Sequence, residues 1–368
     1  MEQNEYQTNS RCACSSGCCG NTQSPPVPKA PYITGLHTTT AGAIPQVATK
    51  LSARDIIGTW KVRWGIGRMN YKISPGLYSV GKPDDNSPVL VTANYKLTFD
   101  CLRKELTSLH LWILVLDTKG VNVWCAAGKG TFGTDELVRR ISAVRLSEIV
   151  RHRTLILPQL GATGIAAHEV AKKSGFQVIY GPVRAEDIKE FLNAGMKATQ
   201  EMREVQFTFT DRIVLTPVDF IQWMKPLLVF YGIFFILNIS GLGHFGITEL
   251  FAVLGSVIAG CILTPAFLPW IPGRAFAFKG ALMGLIWTVV LILLTGGASQ
   301  TGILKTLSYL LVLPSVSAYT AMNFTGSSTY TSPSGVNKEM RIAIPIMFLT
   351  FICGMILFIL SNVLKTIL

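Results

Sequence analysis

Five apolar runs between residues 217 and 368 set the first limit on what this chain can fold into. They lie near residues 222–242, 245–268, 275–295, 302–324 and 342–364. Each reaches the roughly 20 residues that a helix needs to cross a bilayer. Inside lipid the backbone must satisfy its own polar groups, so this half reads as an all-α domain of five transmembrane helices. Pro226, Pro265 and Pro345 fall near the ends of these runs, where a missing amide donor costs little. Pro314 lies within the fourth run, which predicts a kink.

The connections between the runs alternate in charge. "ISGLGHFG" and "TGGASQTG" carry no Lys or Arg, whereas "PWIPGRAFAFKG" has Arg274 and Lys279, and Lys338 and Arg341 precede the fifth run. A positive-inside bias then puts the N-terminal part in the cytoplasm and the C-terminus outside a cytoplasmic (inner) membrane. Lys305 and Lys365 oppose this mildly. Few ionisable residues fall in or near the runs, among them Glu249, with His244 beside it. With so little intramembrane charge an anchor or docking platform is expected rather than a transport path. The hydroxyl-rich loop "NFTGSSTYTSPSG", residues 323–335, is either a polar turn or a lip facing the soluble half.

Residues 51–216 have a different texture. "LHLWILVL" (Leu109–Leu116) is a continuous apolar run, as in a strand buried on both faces. "TDELVRRISAV" is helical in pattern, with Thr134 as expected N-cap. "TLILPQ" and "FQVIYG" read as strands, and "GIAAHEVAKKSG" and "RAEDIKEFLNAG" as helices closed by Gly175 and Gly195. This alternation predicts an α/β, Rossmann-like and mostly parallel sheet whose ligands sit at the carboxyl ends of the strands. "VQFTFTDRIVLTPVDF" is expected to add an edge strand before the membrane. Residues 1–50, with "SPPVPKAP" and "HTTTAGA", read as a flexible Cys-containing lead-in. The net charge of +12 comes without a basic block interleaved with aromatics, so nucleic acid is not an expected partner. Solvated helix faces and attraction to anionic lipid account for it. No export signal precedes the soluble half, so its thiols are expected free or metal-bound rather than paired in disulfides.

The chemistry concentrates in "VNVWCAAGKGTFGT", Val121 to Thr134. Gly128, Gly130 and Gly133 match G-x-G-x-x-G, so dinucleotide binding is one reading, with "VNVWCA" as its strand. Against it, the acidic residue expected about 20 positions on is Glu148, which does not end the next strand. A phosphate P-loop is excluded, because Val123 and Gly130 stand where it needs Gly and Ser or Thr. Cys125 is either a small core residue or a ligand. Lys129, four residues on, and a nearby helix N-terminus favour thiolate, the metal-binding form. Trp124 beside it and the Ala126–Ala127–Gly128 stretch suit a large flat ligand.

"NVWCAAGK" (Asn122–Lys129) resembles the signature of the HgcA family of mercury-methylating corrinoid proteins. "LPQLGATGIAAHEVAKKSGFQVIYGPVRAEDI" (Leu157–Ile188) is similar to the corrinoid domain of the corrinoid iron–sulfur protein large subunit. The resemblance runs from about Leu51 to the C-terminus and implies a corrinoid-binding domain followed by five membrane helices. It implies a base-off, cobalamin-type cobalt corrinoid with Cys125 as lower axial ligand, and the segment Asn122, Val123, Trp124, Ala126, Ala127, Gly128 and Lys129 on a cap helix against it. None of His37, His110, His152, His168 and His244 sits in the D-x-H-x-x-G pattern of histidine-ligated corrinoid proteins. The implied activity is methyl transfer from cobalt to Hg(II). The implied partners are an HgcB-like ferredoxin with two [4Fe-4S] clusters and a folate-type methyl donor. A methyl carrier of acetyl-CoA metabolism and a non-enzymatic membrane corrinoid-binding protein are the alternatives.

Two further features stand beside that reading. Gly161, Ala162, Thr163 and Gly164 form a turn before a helix, where free amides suit the phosphate or nucleotide tail of a cofactor; a plain tight turn is the alternative. In the N-terminal cluster of Cys12, Cys14, Cys18 and Cys19, the vicinal Cys18 and Cys19 suit soft Hg(II). Zinc, or a disordered tail, are the other readings.

Overall fold

The computed structural model describes residues 30–240, 245–328 and 331–367. Cys12, Cys14, Cys18, Cys19 and His244 therefore lie outside the described residues.

Residues 30–193 form one seven-stranded sheet flanked by helices. In chain order the elements are β1 (Ile33–Thr39), β2 (Gly42–Val47), α1 (Ala53–Arg63), β3 (Gly76–Val80), β4 (Val89–Ala93), α2 (Lys96–Glu105) and β5 (Leu111–Leu116). Then come α3 (Val123–Gly128), α4 (Thr134–Ala143), β6 (Thr154–Leu157), α5 (Ala167–Ser174), β7 (Gln177–Tyr180) and α6 (Ile188–Asn193). The spatial order is β1-β2-β3-β5-β4-β6-β7. β5, β4, β6 and β7 run parallel, β3 runs antiparallel to β5, and β1 and β2 make an antiparallel hairpin. The sheet is thus mixed around a parallel block.

β5 is buried at every position, as its unbroken apolar run predicts. Trp112, Leu114 and Leu116 join one core with Leu137 and Ile141 of α4 and Val170 of α5. Leu111, Ile113 and Val115 join the other with Phe99 and Leu102 of α2 and Phe191 of α6. The two-residue period of a strand thus feeds both helical layers. Gly175 and Gly195 take positive φ just past α5 and α6, the left-handed conformation that glycine adopts without penalty. Gly133, not Thr134, is the N-cap of α4. The Thr134 hydroxyl instead accepts from the Ala166 amide at 2.9 Å, tying α4 to the turn before α5.

Two expectations are corrected. The lead-in to residue 50 is folded over residues 30–50: Tyr32, Ile44 and Val47 are buried, and the Tyr32 ring meets Phe99 edge-on at 5.7 Å. β2 pairs with β3 and covers its otherwise open edge, while these side chains enter the cores on both faces of the sheet. The segment "VQFTFTDRIVLTPVDF" is no edge strand. Thr208 and Asp211 form a reciprocal capping box that starts the helical turn Phe209–Ile213. Pro217 then stands in the first turn of α7 (Thr216–Ile239).

The remaining long helices are α8 (Ile247–Ile258), α9 (Phe276–Leu294), α10 (Ile303–Asn323) and α11 (Pro333–Ile367). Among the described residues, five segments are long and apolar enough to cross a membrane: Phe209–Ile236, Ile247–Ala266, Phe276–Leu294, Ile303–Gly326 and Ser334–Leu364. Their number is the expected one, but the first and last begin earlier. Pro226 and Pro345 consequently lie inside α7 and α11 rather than near their ends. Helix α9 meets α10 through small residues: a Cβ on Gly280 or Gly284 would stand 2.8 Å from Ala318 Cα or Pro314 Cα. After α8 the chain continues as a π-helical segment, Ala259–Leu263. Glu249 is ion-paired with Lys305 and accepts from the Tyr309 hydroxyl at 3.1 Å, a buried polar group within the bundle. The loop after α10 is packed, with Phe324 buried and stacked on Phe207 at 6.1 Å.

Helix α1 is held to α2 by buried charge. Arg103, with no exposed surface, donates to Asp100 and to Asp55 at 2.8 Å each and to the Ala48 carbonyl at 2.6 Å. Lys96 bonds Asp55 at 2.6 Å. Burial alone would raise the Asp55 carboxyl, but hydrogen bonds from Lys96 and Ser52 hold it well below the ordinary carboxylate range. Arg103→Met leaves two buried carboxylates short of positive charge and is expected to cost about 3–5 kcal/mol. The Asp55 contribution is full above pH about 4 and is lost as pH falls toward the depressed folded value. Chemical denaturation of the reconstituted chain across acidic pH, wild type against variant, checks both.

Candidate functional site

β4 hydrogen-bonds β5 on one side and β6 on the other. The chain leaves β4 through α2 to β5, then crosses back over β4 to reach β6. The connections therefore diverge at the carboxyl end of β4, where an open α/β sheet forms a ligand crevice. A cavity of about 340 Å³ occupies that place. Its walls include Thr92 of β4, Thr98 and Cys101 of α2, Pro158 after β6 and Arg184 after β7, with Asn122, Val123 and Trp124 at its edge.

Helix α3 forms that edge, and its sequence divides it into two faces. Val123, Ala126 and Ala127, at spacings of three and four, are buried in the core beneath. Trp124, Cys125, Gly128 and Lys129 are exposed, Trp124 at 40%. Asn122 is the N-cap, and its Oδ1 accepts from the Cys125 amide at 2.9 Å, so the cap bond ends on the cysteine's own backbone. A Cβ on Gly128 would meet nothing within 4 Å, which leaves open space above that face. Val123 reaches the cavity wall, but Ala126 and Ala127 turn inward. Their small size serves close packing of α3 on the protein rather than contact with a flat ligand, which corrects that expectation.

The partner in this packing is the turn Gly161–Gly164. A Cβ on Gly164 would press on the Phe132 carbonyl oxygen and stand 2.9 Å from Ala127 Cα; one on Gly161 would stand 2.5 Å from the Phe132 ring. The amides of Gly161, Ala162 and Gly164 donate to Pro158, Gln159 and Gly161 carbonyls. The adjoining cleft carries Asp135, Glu136 and Glu169. Three of the turn's amides are thus spent and three carboxylates line the cleft, features of a tight turn more than of a phosphate site. Thr163 is the exposed member of the turn.

The dinucleotide reading is also corrected. That fingerprint follows a strand, whereas Gly128 ends a helix and Gly130 lies in a turn. Glu148 is ion-paired with Arg145 on the surface. The histidines that the structure ties down are elsewhere: His110 Nδ1 accepts from the Lys82 amide at 3.0 Å, His152 Nε2 lies 2.8 Å from the Ser87 carbonyl, and His37 packs edge-on against Trp112.

Sequence reasoning missed Cys101. It is one helical turn beyond Thr98 on α2, and the fold brings it to the cavity wall. Its side chain reaches solvent, yet the protein packed around it outweighs the opposing charges of Lys104 and Arg63 and raises its thiol pKa. At neutral pH it is a protonated thiol, a weak ligand. Only the strand order, which opens one cavity between α2 and α3, brings it near the site.

The packing makes a contrast that substitution can read. Gly164→Ala is expected to displace α3 and destabilise the fold by about 1–3 kcal/mol through overpacking. Gly128→Ala, in open space, is expected to stay within about 0.5 kcal/mol of the parent. Thermal unfolding followed by near-ultraviolet circular dichroism compares the two.

Residues 67–192 match the family model described as CO dehydrogenase/acetyl-CoA synthase delta subunit. The match takes in β3 to β7, α3 and the cavity. Among curated relatives, the acetyl-CoA decarbonylase/synthase complex subunit gamma of Methanopyrus kandleri is 35% identical over 123 residues, 33% of this chain and 26% of that protein. The subunit gamma of Methanocaldococcus jannaschii is 32% identical over 135 residues, 36% of this chain and 27% of that protein. The corrinoid/iron-sulfur protein large subunit of Moorella thermoacetica is 29% identical over 127 residues, 34% of this chain and 28% of that protein. The matched part thus spans about a quarter of each of these relatives, and the sheet domain of this chain is similar to a part of these proteins.

Proposed function

We propose that the sheet domain holds a cobalt corrinoid over the carboxyl ends of β4, β6 and β7, and that the chain is a membrane-anchored methyltransferase acting on Hg(II). The observation that carries this reading is α3: a helix at the rim of the cavity whose outward face presents Cys125, in a segment similar to a corrinoid protein. The residues present fit such a group. A flat macrocycle needs an open apolar platform with one soft donor. Trp124 and the bare Gly128 supply the platform, with Val123 at the cavity wall beneath, and Cys125 the donor.

When bound, a cobalt corrinoid supplies a transferable methyl group. Cys125, as thiolate, would hold the cobalt and donate electron density to it, an environment that would favour release of carbon with its electrons toward an electrophile such as Hg(II). Asn122 fixes the backbone of Cys125 through its cap bond, so the sulfur is carried on a rigid helix rather than a loop. Trp124 shields the cavity side of the same helix from water, and Lys129 keeps positive charge near the sulfur. Thr163, exposed at the turn, lies on the far side of α3 and supplies a hydroxyl for peripheral polar groups. An HgcB-like ferredoxin with two [4Fe-4S] clusters serves as reductant and a folate-type donor as methyl source, both by resemblance to the HgcA family. The soluble domain stands on the cytoplasmic side of the inner membrane, supported by the alternation of basic and uncharged loops. Cys18 and Cys19 then serve to capture Hg(II) ahead of transfer. A second reading, a methyl carrier of acetyl-CoA metabolism, is favoured by the names of the relatives.

The test is the absorption and electron paramagnetic resonance of the corrinoid-loaded full chain, wild type against Cys125→Ala and Cys125→His. A cobalt–sulfur signature is expected in the wild type alone. Methylmercury formation is expected to fall at least about 100-fold in Cys125→Ala, the upper end of what loss of an outer-shell partner costs a metal site. Identical spectra and full turnover in that variant remove the ligand role. Methyl transfer to a thiol nucleophile but not to Hg(II) supports the carrier instead.

A further inference from the structure

Helix α1 is inside out. Of its charged side chains Asp55 is buried, in the network with Lys96 and Arg103, and Val62 is its buried apolar residue. The opposite face carries Ile56, Ile57, Trp60 and Trp64, spaced as one stripe of a helix and all exposed, Trp60 at 64%. Ile66 and Met69, 62% and 74% exposed, extend the patch past the end of the helix. A contiguous apolar face of this kind marks an interaction surface.

Its position says what covers it. The Arg63 guanidinium donates to the Val214 carbonyl at 3.4 Å, and Gly65 lies against Ile221. Both partners belong to the start of the first membrane-crossing segment, Phe209–Ile236. Arg212, two residues before Val214, donates to the Ala266 carbonyl at 3.2 Å, where the second segment, Ile247–Ala266, ends. The patch therefore sits at the level where two spans leave the bilayer on one side. That side also carries Trp270, 66% exposed, and Arg274 in the loop that follows. Tryptophan and basic residues at span ends are the composition of a membrane–water interface. Around the stripe, Arg54, Lys61 and Arg68 supply positive charge for an anionic headgroup layer, and their long stems let the charge reach water.

We infer that α1 and the following turn, residues 53–69, lie in the headgroup layer of the same membrane as an interfacial helix, with Ile56, Ile57, Trp60, Trp64, Ile66 and Met69 against the acyl chains. This rests on the reading of the five helices as membrane spans. The bilayer then serves as the outer layer that α1 lacks on its exposed side, and the sheet domain is held at a set orientation to the membrane plane rather than tethered by α7 alone.

The full chain is reconstituted in vesicles of phosphatidylcholine and phosphatidylglycerol, washed with alkaline carbonate, and its tryptophan emission recorded. Subtracting the spectrum of the Trp60→Phe/Trp64→Phe chain isolates the two indoles, and phenylalanine preserves the apolar stripe. With brominated acyl chains this difference emission is expected to fall at least about twofold, since an interfacial helix buries its apolar face at the headgroup–acyl boundary. If the double variant does not insert, the single Trp60→Phe subtraction gives the same reading. Difference emission unchanged by brominated lipid overturns the inference, whether aqueous iodide quenches it (a bare face) or not (a face covered by protein or a second copy). Loss of the chain from vesicles in the carbonate wash overturns the membrane reading itself, and this inference with it.

Discussion

The reversal of strand order at β4 is the constraint on which the rest of the site depends. Because β5 and β6 lie on opposite sides of β4, the helices after β4 and β5 cover opposite faces, and neither closes the carboxyl end of the strand between them. The cavity exists because of that divergence, not because any side chain was removed to make it. Helix α3 is short enough to sit at its rim, and α4, which follows after one glycine-rich turn, covers the sheet.

Close approach does the positioning. Gly161 and Gly164 have no side chain, so α3 lies directly against the turn, and Ala126 and Ala127 complete the fit. The same contact turns Trp124 and Cys125 outward. The cysteine's exposure is thus a result of core packing one turn away.

Some of this was legible in the chain and some was not. The run Leu109–Leu116 has one physical reading in an α/β protein, and β5 occupies Leu111–Leu116 of it. Gly175 and Gly195 end their helices for the reason glycine usually does. The inward turn of Ala126 and Ala127 was available from their spacing to Val123, but a ligand-centred reading of small residues hid it. The hairpin of β1 and β2 carries few apolar residues among threonine, glycine and proline, and its partner β3 is far along the chain, so local pattern was too weak. "VQFTFT" alternates like a strand, yet the capping box of Thr208 and Asp211 begins the helix within it. Glu249 and Lys305 are distant in sequence and look like isolated liabilities until α8 and α10 bring them together. Strand order, which puts Cys101 in the cavity wall, is a tertiary property that no single window contains.

The π-helical segment Ala259–Leu263 has an effect beyond its own length. An extra residue in one turn advances every later side chain by about 100° relative to an uninterrupted helix. The second span therefore changes phase partway along. The hydroxyl of Thr264 bonds back to the Ala259 carbonyl at 2.8 Å across the widened turn. Beyond it the Ala266 carbonyl is where Arg212 can reach it. Without that rotation the tip of this helical segment nearest the sheet domain would present a different azimuth to the connector, and the junction would have to be keyed by other groups.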